Sequence, residues 1–379
     1  MAGIYIHIPF CKQACYYCDF HFSTSLKRKE EMLTAIKNEL LLRKREAEND
    51  TIKTIYFGGG TPSLLTIEEL ASLNDIIFQN YDVIEHPEIS LEANPDDLSV
   101  KKIEQLSKTN INRLSIGIQS FFDEDLQFMN RAHTAKESKE CLSAAMENFN
   151  NITIDLIYGV PNMTNEKWMA NLQTAFDFGV PHISSYALTV EEKTALYSFI
   201  KNGKVPPLDE SVALDHFNVL VAESEKQGFV HYEISNFGKP ANFSKHNMSY
   251  WLGEKYIGIG PSAHSFNGAE RSWNISNNAK YIKDLAANKL PSEIEKLTKK
   301  NKFNEYIMTG LRTIWGVSFQ KIEKDFGKNY LIELKNNAKP FVEEGLLKIE
   351  LNSFSQHILT TTKKGKFLAD GIASDLFMI

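Results

Sequence analysis

Cysteine is scarce in this chain, with four in 379 residues, and three of those four, Cys11, Cys15 and Cys18, lie within eight residues of one another. Thiols crowded at spacings of four and three cannot form a disulfide framework. No apolar run approaches the roughly 18 residues that cross a bilayer as a helix. The N-terminus, MAGIYIHIPFCKQ, has neither a basic n-region nor a small-residue cleavage site, so no signal peptide and a cytoplasmic address are expected. Basic excess is missing too. Lys and Arg number 42 against 48 Asp and Glu, a formal charge of −6, which argues against a general nucleic-acid binder. Low-complexity tracts and repeats of fixed period are absent, and 42% hydrophobic with 24% charged residues excludes disorder. A single core rarely spans this length unless it is an α/β barrel, so one barrel-sized domain with a smaller companion is expected.

What is present is a strand-then-helix rhythm. Apolar, β-branched runs occur at 4–8, 52–57, 89–91, 114–118, 152–157 and 183–188, each bounded by turn or charged residues. Between the first two, Leu33, Ile36 and Leu40 share one helical face; after the second, Thr66 with Glu69 makes a capping box ahead of Leu70, Leu73 and Ile77. Such alternation implies βα units and a parallel sheet. Six units fit before residue 200, short of a closed barrel's eight, which predicts an α/β fold with an open, partial (β/α)6 barrel. After residue 200 an amphipathic helix (209–227) leads to a polar loop and a glycine-rich stretch. From about Lys299 helices give way to two short strands, LLKIE and HILTTT, in the manner of a winged helix. The predicted domains are 1–290 and 291–379. The second carries 14 Lys and Arg against 11 Asp and Glu, too weak a bias for DNA binding.

The cysteine triad in CKQACYYCDF directly follows the first strand, so it sits at the strand's C-terminal end, where parallel α/β folds place their chemistry. Three thiolates can hold three irons of a 4Fe–4S cluster, leaving the fourth iron open to a small molecule. The net charge of such a cluster, about −1, favours a sulfonium cation beside it. S-adenosylmethionine fits, because its amine and carboxylate can chelate iron. Two rival readings are weaker. A zinc site needs a fourth ligand, locally His21, but zinc knuckles usually come as two spaced pairs. A Cys15–Cys18 dithiol leaves Cys11 unexplained. Cys141, alone in a helical stretch, reads as a buried, inert thiol.

Gly58-Gly59-Gly60-Thr61-Pro62 follows the second strand and lacks the GK[ST] of a Walker loop; glycines there let backbone approach a ligand. Polar residues mark the other strand ends: Glu92, Gln119, Asp155 and Tyr186. One such residue is ordinarily a hydrogen-bonded strand end, but four converging on one mouth indicate a polar ligand site.

The CxxxCxxC motif after the first strand resembles the radical S-adenosylmethionine superfamily. The surrounding IYIHIPFCKQACYYCDF is similar to the branch holding the oxygen-independent coproporphyrinogen III oxidases and a group of haem chaperones. The resemblance implies that Cys11, Cys15 and Cys18 ligate a 4Fe–4S cluster and that Gly59, Gly60 and Thr61 meet the methionine amino group of S-adenosylmethionine. It further implies that Tyr5, Glu92, Gln119, Arg131 and Asp155 contact that ligand, Arg131 through its carboxylate. The oxidases carry an extra cysteine two residues after the triad, where this chain has Phe20, and an N-terminal extension before the first strand. His246-Asn247-Met248-Ser249-Tyr250-Trp251 matches the HNxxYW motif of the haem chaperones, implying His246 as a haem ligand, with His264 a second candidate. The implied function is a chaperone that carries haem as cargo and delivers it to respiratory haem proteins, including those at the membrane. The alternative is a radical oxidoreductase of the coproporphyrinogen III dehydrogenase type.

Overall fold

A computed structural model describes residues 2–379. Six strands, β1 (Ala2–Ile8), β2 (Ile52–Gly59), β3 (Val83–Ala93), β4 (Arg113–Gln119), β5 (Ile152–Tyr158) and β6 (His182–Ala187), pair in sequence order and all in parallel. They form the six-unit, unclosed barrel that the sequence predicts. Helices return the chain between strands on the outer face. In Lys29–Arg43, Leu33, Ile36 and Leu40 are buried against the sheet. Thr66 starts Ile67–Asn80 with the expected capping box, its hydroxyl accepting from Glu69 N while the Glu69 carboxylate accepts from Thr66 N. Because all six strands run the same way, the loops after Ile8, Gly59, Ala93, Gln119 and Ala187 open on one rim.

The sheet extends beyond those six strands. After the helix Glu210–Lys226, the hairpin β7 (Val230–Glu233) and β8 (Asn236–Gly238) adds antiparallel to β6. The expected polar loop contains a short helix, Lys245–Trp251, which carries the HNxxYW residues. Strand β9 (Lys255–Ile259) then lies parallel to β1, and β10 (His264–Phe266), β11 (Glu270–Asn274) and β12 (Ser292–Lys296) continue the sheet to twelve strands. The extension is joined to the barrel by a buried carboxylate. Glu39 accepts from Arg43 Nε (2.6 Å), Asn274 Nδ2 (2.7 Å), Gly260 N (2.8 Å) and Tyr281 Oη (2.5 Å), so its charge is fully hydrogen-bonded where water does not reach.

A second core, containing Phe303, Ile307, Leu311, Leu334 and Leu359, lies under helices Lys299–Leu311, Phe319–Phe326 and Lys328–Glu343 and a three-stranded sheet of β13 (Val317–Ser318), β14 (Leu347–Leu351) and β15 (His357–Thr361). This helix–strand–helix–helix–hairpin order is the winged-helix-like arrangement expected. The anticipated boundary at 290/291 falls just before β12, which is hydrogen-bonded into the large sheet; the separate core begins after it. Among the described residues no helix is long and apolar enough to cross a membrane.

Candidate functional site

The barrel rim surrounds a cavity of about 420 Å³ whose wall includes Cys11, Cys15, Cys18, Gly59, Gly60, Thr61, Glu92, Gln119, Arg131 and Asp155. The alternation of a strand explains the grouping. Ser115, Gly117 and Gln119 face the cavity from β4 and Asp155 and Ile157 from β5, each two residues apart, while the ends of β3 and β6 add Glu92 and Tyr186. Gln119 ends β4 with φ of 66°, a conformation that a non-glycine residue adopts at a cost of order 1 kcal/mol or more.

The three thiols are free and half-buried. Their loop is pinned at both ends, with Cys11 N donating to Ser23 O (3.1 Å) and Tyr16 N to Met129 O (3.2 Å). Among the described residues no three His, Cys, Asp or Glu side chains are arranged as the ligands of one metal ion. The local fourth ligand of the zinc reading, His21, turns its Nε2 to Asn278 Oδ1 at 2.7 Å. Cys141 is buried, and burial pushes its thiol up to about 12.

Gly60 seats the second loop against the first. Its N donates to Ile8 O (2.9 Å), and a Cβ there would fall 2.6 Å from Phe10 O and 2.8 Å from Ile8 O. Gly59, at φ of +106°, donates its N–H to Glu92 Oε2 (3.1 Å), while Tyr56 Oη donates to Glu92 Oε1 (2.9 Å). Burial pushes the carboxyls of Glu92 and Asp155 up to about 7.

Arg131 closes one side. Its Nη1 donates to Cys15 Sγ (3.3 Å) and its Nη2 to Asn94 Oδ1 (2.5 Å) and Gly117 O (3.0 Å), whereas its buried Nε has no partner. A buried, unmatched guanidinium donor costs about 1–3 kcal/mol or more and fits a site built for an anionic group. Free thiols, a glycine loop without room for a side chain, two carboxyls and an unmatched guanidinium N–H together suit a thiolate-held cluster beside an amino-acid ligand.

Two expected contacts are not on this wall. Tyr5 lies behind Gly58, with its hydroxyl hydrogen-bonded to His7 Nδ1 (3.2 Å) and its ring stacked on Tyr56. His246, expected to offer a nitrogen to haem iron, is 1% exposed and has both nitrogens engaged, Nδ1 with Thr54 Oγ1 (2.7 Å) and Nε2 with Tyr250 Oη (2.8 Å). Its ring stacks on Tyr56 at 4.9 Å, so this arrangement leaves no coordination position for iron. His264 is exposed on β10, its ring 6.0 Å from that of Trp273. Sequence reasoning missed Asn94 and Ser115 on the wall and Tyr56 behind it. Asn94 stands two residues after Glu92, the strand-period signal that could have found it; Tyr56 carried no polar pattern to distinguish it from core.

Residues 5–175 match the Radical SAM superfamily and residues 297–368 the HemN C-terminal domain. The chain is 34% identical over 381 residues to the heme chaperone HemW of Bacillus subtilis, covering 98% of each chain. The chain belongs to the HemW family of radical SAM proteins. A second HemW, from Lactococcus lactis, is 35% identical over 325 residues, covering 85% of this chain and 84% of that protein. The solved structure of the coproporphyrinogen III oxidase HemN from Escherichia coli superposes with a TM-score of 0.85 at 22% identity, covering 100% of this chain and 90% of that one, which shows the shared fold. This chain thus joins a barrel with a thiol-bearing rim to a winged-helix-like C-terminal unit.

Proposed function

We propose that this protein is a haem chaperone that binds haem, a 4Fe–4S cluster and S-adenosylmethionine, and delivers haem to respiratory haem proteins. The observation that carries the reading is the near-complete alignment with proteins named heme chaperones, 98% of both chains in the Bacillus subtilis case. Cys11, Cys15 and Cys18 would hold three irons, leaving the fourth for the amino-acid end of S-adenosylmethionine. When bound, the cluster supplies one-electron chemistry.

The residues of this chain then have separable tasks. Gly59, Gly60 and Thr61 present backbone to the ligand's ammonium, Glu92 supplies a carboxylate beside it, and Arg131, on the cavity wall, meets its carboxylate. Gln119 and Asp155 face the ribose and adenine edges from β4 and β5. Haem is cargo, and His264 offers its exposed imidazole as the iron ligand in place of the enclosed His246.

The test is anaerobic reconstitution followed by haem titration, paired with a chromatographic assay on coproporphyrinogen III with S-adenosylmethionine and reductant. Haem uptake without conversion to protoporphyrinogen IX is expected. Sustained turnover to protoporphyrinogen would overturn the chaperone reading in favour of a dehydrogenase. An unaltered haem spectrum in His264→Ala would remove that side chain as ligand.

A further inference from the structure

The HNxxYW helix is anchored on β2 and β3, two of the strands that shape the cavity wall. Glu88, buried on β3 four residues before Glu92, accepts from His246 N (3.0 Å) and Lys245 N (3.2 Å) at the helix start. Thr54, buried on β2 two residues before Tyr56, bonds His246 Nδ1 at 2.7 Å, and Tyr250, one helical turn on, bonds Nε2 at 2.8 Å. With both ring edges fixed, the imidazole face lies on the Tyr56 ring, centroids 4.9 Å apart and planes 23° apart. Tyr56 ends this path behind the cavity wall, where its hydroxyl donates to Oε1 of the wall residue Glu92 at 2.9 Å and the other carboxylate oxygen receives Gly59 N. Room for the ring is made on β1: a Cβ at Gly3 would fall 2.7 Å from Thr54 Oγ1 and 3.2 Å from His246 Cε1 and Nδ1.

We infer that His246 is a positioning residue for the S-adenosylmethionine cavity, acting through the Tyr56 ring to hold the Glu92 carboxylate against the glycine loop. Tyr56 has two degrees of freedom to control, ring plane and hydroxyl direction, and the stack fixes the first so that the phenol proton points at Glu92. Without the imidazole face, the phenol can rotate, Glu92 loses one of its two donors, and its remaining bond no longer fixes both oxygens. The HNxxYW segment thereby serves the ligand pocket from behind the sheet. This inference rests on the reading of the cavity as an S-adenosylmethionine site.

The test measures S-adenosylmethionine affinity by titration of the cluster-loaded full chain, with iron and sulfide content and haem uptake measured on the same preparations. Saturable binding by the wild type supports the cavity reading, and its absence would overturn that reading whatever the variants do. Given wild-type binding, His246→Ala and Tyr56→Phe are each expected to weaken affinity about tenfold while cluster content and haem stoichiometry stay unchanged. The double variant should lose no more than either alone, because both changes break one path. Gly3→Ala keeps the imidazole but crowds it, and should reproduce part of the loss. Multiplicative losses in the double variant, or wild-type affinity in Tyr56→Phe, would overturn the inference. So would a His246→Ala protein that loses haem but binds S-adenosylmethionine normally. Tyr56→Phe retains the ring and so keeps the test usable if His246→Ala does not fold.

Discussion

Arg131 and Cys15, 116 residues apart in sequence, meet at 3.3 Å, the guanidinium Nη1 donating to the thiol sulfur. The same guanidinium reaches Asn94 on the far side, so one side chain ties the thiol loop to the ends of β3 and β4. Arg131→Met should leave Asn94 Oδ1 and Gly117 O without this donor and deprive an anionic ligand group of its partner. Charge-assisted bonds contribute about 1.5–3 kcal/mol each, so S-adenosylmethionine affinity should fall roughly ten- to a hundredfold. Calorimetric titration of the cluster-loaded variant checks this.

The cysteines divide into two kinds. Ala in place of Cys11, Cys15 or Cys18 should reduce bound iron from about four per chain to a minor fraction, whereas Cys141→Ala should keep the full complement. Cys141 is buried on a helix whose partners are apolar, so its replacement leaves a small cavity and costs about 1 kcal/mol. Iron and sulfide assays with thermal melts separate the two effects.

Gly60 is constrained by protein before any ligand arrives. An added Cβ meets two carbonyl oxygens of the segment leading to Cys11, and backbone cannot step aside as a side-chain tip can. Gly60→Ala should therefore lower the melting temperature of the ligand-free chain by several degrees and reduce cluster loading as well. A variant that melts like the wild type and fails only in ligand binding would contradict this account.

Much of this was legible in the sequence because it is local. The six strands, the Thr66 box and the thiol spacing are written within a few residues each, and physics at that range has few alternatives. The pairing of β9 with β1 joins residues about 250 positions apart and leaves no local trace. His246 illustrates the same limit. A histidine beside aromatic residues suits both an iron site and a packed ring stack, and only Thr54 and Tyr250, from two elements, decide that its nitrogens are already used.

Histidines held in the interior make stability pH-dependent. Burial lowers His7 and His133 to about 4 and His231 and His246 to about 3, from 6.5. The unfolded chain therefore binds more protons at these sites; their contribution is present above pH 6.5 and is lost as pH falls toward 4. Glu92 and Asp155, raised to about 7, act oppositely, losing stability as pH rises from about 4 to 7. His182, His216 and His264 are lowered too, so the histidines outnumber the raised carboxyls, and the urea midpoint of the ligand-free chain should rise between pH 4.5 and 6.5. Asp155→Asn removes one opposing group and should steepen that rise.

Strand β1 is synthesised long before one of its two neighbours in the sheet, β9, which begins at Lys255. At roughly 5–20 residues per second, the ribosome needs on the order of 12–50 s to make the intervening chain. For that interval the strand leading to Cys11 has an open edge, and Glu39 waits for Gly260, Asn274 and Tyr281. The thiols therefore leave the ribosome well before the strand that leads to them has both of its neighbours, so on the proposed reading a cluster is loaded best into the finished chain, and oxygen during synthesis is a hazard to the nascent one.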